Sequence, residues 1–259
     1  MFLSVSKVVE EMLMRVAVVE NMKSTPLGSL GLALAEANAE IQHFYPWIDG
    51  TLPADCAHYD ALVVLGGEQN AIDDANYPYL PALAQLMREF AEADKAVLGI
   101  CLGAQILARA YGAENLLNAR LEFGWHTVSK SEEGRIDPLL SGLAEDFTTF
   151  QWHSDTFTLP ASATRLAVSR LAENQVFRVG RAAYGTQFHF EASASVIDSW
   201  KVEFATSIEQ MEPSWHERYA ALAAAHASES DASGLAIGRN WVSMIRAQVR
   251  SQPEAVAGR

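Results

Sequence analysis

The sequence of 259 residues contains little cysteine and little positive charge. Cys56 and Cys101 are its two cysteines, a number that favours a reducing compartment, the cytoplasm, over a disulfide-stapled secreted scaffold. Lys and Arg total 19 against 32 Asp and Glu, which gives a formal net charge of −13, and no basic run occurs. Because nucleic acid and an anionic membrane would repel such a surface, neither is an expected partner.

Long hydrophobic runs are also absent, since no apolar stretch approaches the roughly 20 residues of a membrane-spanning helix. The first residues, MFLSVSKVVEEMLMR, place Glu10 and Glu11 inside their apolar segment and lack a basic leader, so a signal peptide is not expected. Hydrophobic residues make up 49% of the chain, and a chain of this length buries roughly three quarters of its unfolded surface. A stable core is therefore expected without disulfides or metal.

Short apolar runs alternate with helical patterns as far as Gly112, as is typical of a parallel sheet with crossover helices. The first helix is predicted to start after Ser24-Thr25-Pro26, and Gly112 to cap the last. The predicted strands of this part are 15–20, 41–45, 61–65 and 96–100. Its predicted helices are 27–38, 77–93 and 102–111.

After Gly112 the sequence has strand-like segments without long helices between them, which predicts antiparallel strands added to the parallel ones. The expected fold is therefore α/β, with a mixed, mainly parallel central sheet flanked by helices. The added strands are predicted at 123–129, 147–153, 164–169, 175–179 and 182–190.

Helical patterning returns at 192–209 and in two segments of the last fifty residues, with the Ser-, Asp- and Gly-rich stretch 228–234 predicted as a loop between them. Trp215, Trp241 and Met244 in these segments fit a role in covering either the core or an interface. No repeat or low-complexity linker is present. The predicted organisation is an N-terminal extension, one domain and a helical C-terminal extension, with bounds 1–14, 15–205 and 206–259.

The segment Gly99-Ile-Cys-Leu-Gly103 matches the strand–turn–helix nucleophile elbow, with Cys101 in place of serine. The glycines are needed because strand and helix crowd this turn. The helix that starts at Leu102 favours the thiolate through its dipole, and the Leu102 amide could bind an oxyanion. The alternative is an inert buried thiol, the commoner fate of a free cysteine and our interpretation of Cys56.

A nucleophilic thiol needs a base, and His189 is the best placed of the seven histidines. Glu191 lies two positions later, so an extended backbone would put both side chains on one face, as in a triad whose carboxylate orients the imidazole. A surface His–Glu pair on a strand is the alternative. No two histidines have a helical metal-ligand spacing and no CxxC motif occurs, so we predict neither a metal nor another cofactor.

Together these motifs resemble those of the class I (triad) glutamine amidotransferase family, in particular its stand-alone, GMP-synthetase-like glutaminase domains. The resemblance covers about residues 15–205 and rests on Gly-Ile-Cys-Leu-Gly-Ala-Gln at 99–105 and Gly-Thr-Gln-Phe-His-Phe-Glu at 185–191. Phe190 stands where many members have proline. The resemblance implies a flavodoxin-like fold and a catalytic triad of Cys101, His189 and Glu191.

The resemblance also implies an oxyanion hole and a glutamine site. Gly66-Gly67, after the third strand, resembles the family's oxyanion loop, in which the Gly67 amide would complement that of Leu102. Segments 122–125 and 151–155 resemble stretches that flank the glutamine site. Strand packing, or a tight turn for the glycines, is the alternative in each case. The implied substrate-binding residues are Gly66, Gln105, Trp125, Ser154 and Asp155.

The implied reaction is hydrolysis of the glutamine side-chain amide through a γ-glutamyl thioester. Two alternatives stay open: a γ-glutamyl peptidase acting on glutathione-like amides, and a non-catalytic sensor in which Cys101 is oxidised. The expected partners are L-glutamine or a γ-glutamyl compound. Because the sequence has no phosphate loop and its tail is too short for a synthetase, ammonia would pass to a separate synthetase subunit, unless the enzyme acts alone.

Overall fold

Nine strands form one mixed sheet in the computed structural model, which describes residues 13–251. Two further short strands pair with each other, and most of the predicted extension 1–14 lies outside the described residues. The strands are β1 (Arg15–Val19), β2 (Glu40–Phe44), β3 (Ala61–Val64), β4 (Ala96–Ile100), β5 (Asn115–Leu116), β6 (Glu122–Lys130), β7 (Asp146–His153), β8 (Thr156–Phe157), β9 (Ala163–Val168), β10 (Val176–Val179) and β11 (Ala183–Thr186).

Helices cover both faces of the sheet. They are α1 (Gly28–Glu36), α2 (Pro46–Asp49), α3 (Leu80–Glu92), α4 (Leu102–Ala110), α5 (Glu132–Ile136), α6 (Ala194–Glu203), α7 (Ala205–Met211) and α8 (Trp215–Ser251). A 3₁₀ turn is formed by Pro138–Leu140. Within residues 13–251, no helix combines the length and the apolar character needed to cross a bilayer.

The sheet order is β2-β1-β3-β4-β11-β10-β9-β6-β7. The five strands from β2 to β11 are mutually parallel, and β10, β9, β6 and β7 continue the sheet in antiparallel pairs. The predicted α/β class and mixed sheet are confirmed. Since β4 and β11 are parallel neighbours, the residues that follow them meet at the carboxyl edge of the sheet.

Alternation along the central strands divides the core into two layers. In β1, Val16 and Val18 pack with α1 and α8, whereas Ala17 and Val19 pack with α3 and α4. Both faces are buried because the strands are apolar throughout, which is the pattern expected of parallel strands covered on both sides.

The C-terminal segment differs from the prediction. A single helix of 37 residues, α8, runs through the stretch 228–234, so the predicted loop is wrong. Tertiary contacts override the weak helix propensity there, since Ser230 and Ser233 are buried and Asp231 accepts a hydrogen bond from the N–H of Ala194. Trp215 and Trp241 are buried in this chain, so they cover its core.

Three boundaries near the site also differ. The predicted strand 182–190 is too long, because β11 ends at Thr186. Helix 192–209 is divided into α6 and α7. Helix α1 begins at Gly28 without a side-chain cap from Ser24 or Thr25; the N–H of Ser29 instead donates to the carbonyl of Glu191 at 2.9 Å.

Candidate active site

Cys101 occupies the turn between β4 and α4. Its backbone has φ +53° and ψ −107°, a region that side-chain-bearing residues rarely adopt and that stores strain. A Cβ on Gly99 would overlap the carbonyl oxygen of Gly103, and a Cβ on Gly103 would overlap that of Val64. The expectation that crowding demands both glycines is confirmed.

His189 follows β11 at the same edge of the sheet. Its N–H donates to the carbonyl of Phe150 at 2.9 Å, which bridges the segment to β7. The imidazole Nδ1 lies 2.7 Å from Oε1 of Glu191, and the two side chains are only 8% and 5% exposed. The His–Glu pair is therefore buried, which excludes the alternative of a surface pair.

The side chains of Cys101 and His189 converge on Gly66. A Cβ built on Gly66 would lie 3.0 Å from Cε1 of His189 and 3.6 Å from Cβ of Cys101. Nδ1 of the imidazole is hydrogen-bonded to Glu191, and the sulfur of Cys101 lies 3.6 Å from the carbonyl oxygen of Trp152. The structure thus brings together the thiol, the imidazole and the carboxylate that the sequence motifs had singled out.

The charge of the imidazole is set by opposing effects. Burial lowers the pKa of His189, but the negative charges of Glu191 and Cys101 raise it, and the net result is a pKa raised to about 10. An imidazolium at neutral pH places a positive charge beside the sulfur, an environment that favours a thiolate. The arrangement is chemically suited to a thiolate nucleophile with an adjacent proton donor.

Two backbone amides lie beside the thiol. The N–H groups of Gly67 and Leu102 donate no hydrogen bond to any residue in the range 13–251. The two residues are adjacent, since a Cβ on Gly67 would lie 2.9 Å from Cδ2 of Leu102. Leu102 is the first residue of α4, whereas Gly67 lies in the loop after β3. Free backbone amides beside a nucleophile are groups that stabilise an oxyanion in acyl transfer.

A cavity of about 340 Å³ is lined by Cys101 and His189. Trp152, Trp200 and Phe204 contribute aromatic walls. Trp152 belongs to the segment 151–155 that the resemblance had indicated, whereas the sequence motifs had not indicated Trp200 or Phe204. The Trp200 ring packs edge-on against the His189 imidazole, with 5.3 Å between ring centroids. Helical patterning predicts α6, but not which of its residues meets the imidazole, because that depends on how the helix docks.

None of the five predicted substrate-binding residues lines this cavity; Gly66 lies behind it, against the side chains of His189 and Cys101. Gln105 is buried, and its amide donates to the carbonyl of Asp155 at 3.2 Å. Trp125 packs among other aromatic side chains, including Phe150 and Tyr219. The Asp155 carboxylate accepts a hydrogen bond from the N–H of Asn118, and Ser154 is likewise outside the lining. Their contact with a substrate remains a prediction.

Replacing Gly66 with alanine is expected to displace the imidazole, because the new methyl group would press on Cε1 of His189. Weaker contacts with Glu191 and Cys101 would lower the pKa of His189, by about one unit if roughly 1.4 kcal/mol of interaction is lost. Titration of the histidine resonances by NMR measures this. The buried His153, paired with Glu122, is the internal control and should not move. An unchanged His189 titration would contradict the inferred contact.

A family model and several known proteins match this chain, and the family model spans the residues that build the site. The model of the family described as glutamine amidotransferase class-I matches residues 30–203. The glutamine amidotransferase-like protein YfeJ of Salmonella typhimurium is 31% identical over 150 residues, which cover 57% of this chain and 63% of that protein. A solved structure of a glutamine amidotransferase from Thermotoga maritima superposes with a TM-score of 0.79 at 28% identity, covering 90% of this chain and 98% of that one.

Two further relatives carry more specific names. A protein of Thermoplasma volcanium, named as one of the subunits of a glutamine-hydrolysing GMP synthase, is 33% identical over 134 residues, 51% of this chain and 62% of that protein. Gamma-glutamyl peptidase 3 of Arabidopsis thaliana is 29% identical over 162 residues, 58% of this chain and 62% of that protein. The match spans less than two thirds of the length of each of these curated relatives.

Proposed function

This chain belongs to the glutamine amidotransferase class-I family, and from that membership we propose that it hydrolyses the side-chain amide of glutamine. Cys101 is the proposed nucleophile, His189 the general acid and base, and Glu191 the residue that orients the imidazole. The observation that carries the proposal is the buried group of thiol, imidazole and carboxylate: Cys101 and His189 line the cavity together, and Nδ1 of His189 lies 2.7 Å from Oε1 of Glu191.

The proposed reaction has two halves. The sulfur of Cys101 attacks the amide carbon, and His189 delivers a proton to the nitrogen, which leaves as ammonia while a γ-glutamyl thioester remains. Water then attacks the thioester with His189 as base, so that glutamate leaves and the thiol is restored. The amides of Leu102 and Gly67 would stabilise both tetrahedral intermediates, and losing one such donor costs on the order of 3 kcal/mol.

We further propose that the ammonia is used by a separate synthetase subunit. The Thermoplasma relative is named as one of the subunits of a GMP synthase, which supports a division of labour between chains. A second candidate function is hydrolysis of γ-glutamyl peptides. The similarity to a gamma-glutamyl peptidase favours it, and so does a cavity whose size suits a ligand larger than a single amino acid.

A comparison of the rates with glutamine and with glutathione distinguishes the two candidate functions. We expect kcat/KM for ammonia release from glutamine to exceed that for amine release from glutathione by tenfold or more, equivalent to about 1.4 kcal/mol. The measurement follows each released amine together with the glutamyl product, with Cys101→Ala as the blank. A higher kcat/KM for glutathione than for glutamine would instead identify the protein as a γ-glutamyl peptidase. No turnover of either substrate, together with no adduct from a glutamine-analogue electrophile, would favour the sensor.

A further inference from the structure

The last helix lies directly against the segment that carries His189 and Glu191. A Cβ on Gly234 of α8 would overlap the carbonyl oxygen of Phe190, so helix and segment are in backbone contact there. Three residues earlier on α8, Asp231 accepts a hydrogen bond from the N–H of Ala194 at 2.9 Å. These contacts bracket Glu191 on both sides in sequence.

Helix α1 holds the same segment through a different contact. The N–H of Ser29 donates to the carbonyl of Glu191 at 2.9 Å, and a Cβ on Gly28 would overlap that carbonyl oxygen. The two helices also pack on each other, since a Cβ on Gly238 of α8 would lie 3.2 Å from Cβ of Ala33. The segment is thus enclosed by α1 and α8.

Residues 187–193 belong to no strand or helix, so no continuous ladder of hydrogen bonds holds them in place. Phe190 lacks the pyrrolidine ring that would fix its φ angle. Nevertheless, the imidazole and carboxylate of a working triad must be held to within roughly 0.5 Å. External contacts have to supply that precision, and α8 supplies two of them although it lies beyond the part of the chain matched by the family model.

We infer that Asp231 and Gly234 are positioning residues for the His189–Glu191 pair: the hydrogen bond to Ala194 and the close approach to Phe190 fix the backbone on either side of Glu191. This inference rests on the proposed function. The competing view is that α8 serves stability alone, since it also buries Ile237 and Trp241 in the core. The two views differ in what should happen to the chemistry of Cys101.

Two matched pairs of variants separate these views. Asp231→Ala removes the acceptor, whereas Asp231→Asn keeps an oxygen at Oδ1; burial raises the pKa of Asp231, so the neutral amide is well tolerated there. Gly234→Ala pushes a methyl group against the Phe190 carbonyl. Gly238→Ala makes the same change one turn later on the same helix, where the methyl group faces α1.

Each variant is made in full-length protein with Cys56→Ala, so that Cys101 is the single thiol. Three quantities are measured: kcat with glutamine, the thermal unfolding midpoint, and the rate of Cys101 alkylation by iodoacetamide as a function of pH. For Asp231→Ala and Gly234→Ala we expect kcat to fall about tenfold to 10²-fold. Their alkylation profiles should move to higher pH, because a displaced imidazolium favours the thiolate less. Asp231→Asn and Gly238→Ala should have the same kcat and the same alkylation profile as the parent protein.

A lower unfolding midpoint with unchanged kcat and an unchanged alkylation profile would overturn the inference and leave α8 a stabilising helix. Should Gly234→Ala fail to fold, the two variants at Asp231 decide. A parent protein without glutaminase activity, but with the alkylation profile displaced in Asp231→Ala and restored in Asp231→Asn, would refute the proposed function and support the positioning role.

Discussion

Replacing Cys101 with alanine is expected to abolish glutamine hydrolysis, with a loss on the order of 10⁶-fold, as when the nucleophile of a protease triad is removed. The thiol is the group that would form the thioester, so its loss removes the covalent route while the cavity walls stay in place. The measurement is glutamate and ammonia formation, together with mass spectrometry of the protein after exposure to a glutamine-analogue electrophile. The unmodified chain should carry the adduct on Cys101, and Cys101→Ala should carry none.

Cys56→Ala is the matched control for this experiment, because it removes the other thiol of the chain. Cys56 is half-buried in a loop before β3 and packs against the layer formed with α3. Its replacement should leave the rate and the adduct unchanged. Equal losses in both variants, or none in Cys101→Ala, would end the assignment.

The part of the site that could be predicted is the part encoded locally. In the segment 99–103 the residue types predict the geometry of the turn. Only glycine fits at its two ends, because a Cβ on Gly99 would overlap the backbone of α4 and a Cβ on Gly103 would overlap the backbone of β3. His189 and Glu191 were found from their two-residue spacing, although the reason given for it was wrong. Their segment is not an extended strand; it is shaped by the bridge to Phe150 and by the contacts with α1 and α8.

What could not be predicted depends on contacts between distant parts of the chain. The stretch 228–234 has the composition of a loop, but it is part of α8. Its tertiary contacts favour the helix there: Asp231 accepts a hydrogen bond from the N–H of Ala194, and Gly234 packs against the carbonyl of Phe190. The start of α1 was predicted from the local segment Ser24-Thr25-Pro26, whereas the N–H of Ser29 in its first turn donates to the carbonyl of Glu191. Trp200 gave no local sign that it would lie against the imidazole. In each case the partner is far away in sequence.

Replacing Glu191 with glutamine is expected to lower the pKa of His189 from its value of about 10. Burial, which lowers this pKa, remains in the variant, whereas the negative charge of Glu191, which raises it, is lost. The amide is nearly the same size, and its oxygen can still accept from Nδ1. The change therefore tests charge and leaves shape almost untouched. NMR titration of the His189 ring measures it directly.

For catalysis, the variant should lose its imidazolium at a lower pH, so the alkaline limb of the kcat/KM profile should move down the pH scale. At neutral pH the rate should fall by about 10²- to 10⁴-fold, the range that acid–base catalysis contributes. Glu122→Gln is the matched control, because it makes the same change in the buried pair with His153 and should leave the His189 titration in place. A variant that keeps both the His189 pKa and the alkaline limb would show that Glu191 does not act on the imidazole.

The raised pKa of His189 also predicts how the stability of the protein depends on pH. Because the pKa of His189 in the folded protein is raised above its ordinary value of 6.5, the contribution of His189 to the free energy of unfolding is complete below about pH 6.5 and is lost as the pH rises through about 10. The unmodified protein should therefore lose stability over that interval more steeply than Glu191→Gln. The slope of the unfolding free energy against pH is a better measure than the free energy at one pH. Oε2 of Glu191 has no hydrogen-bond partner among the described residues, so an amide NH₂ group placed there would itself reduce stability at every pH. Denaturant unfolding from pH 6 to pH 10 distinguishes the two: parallel slopes would mean that the carboxylate does not hold the proton on His189.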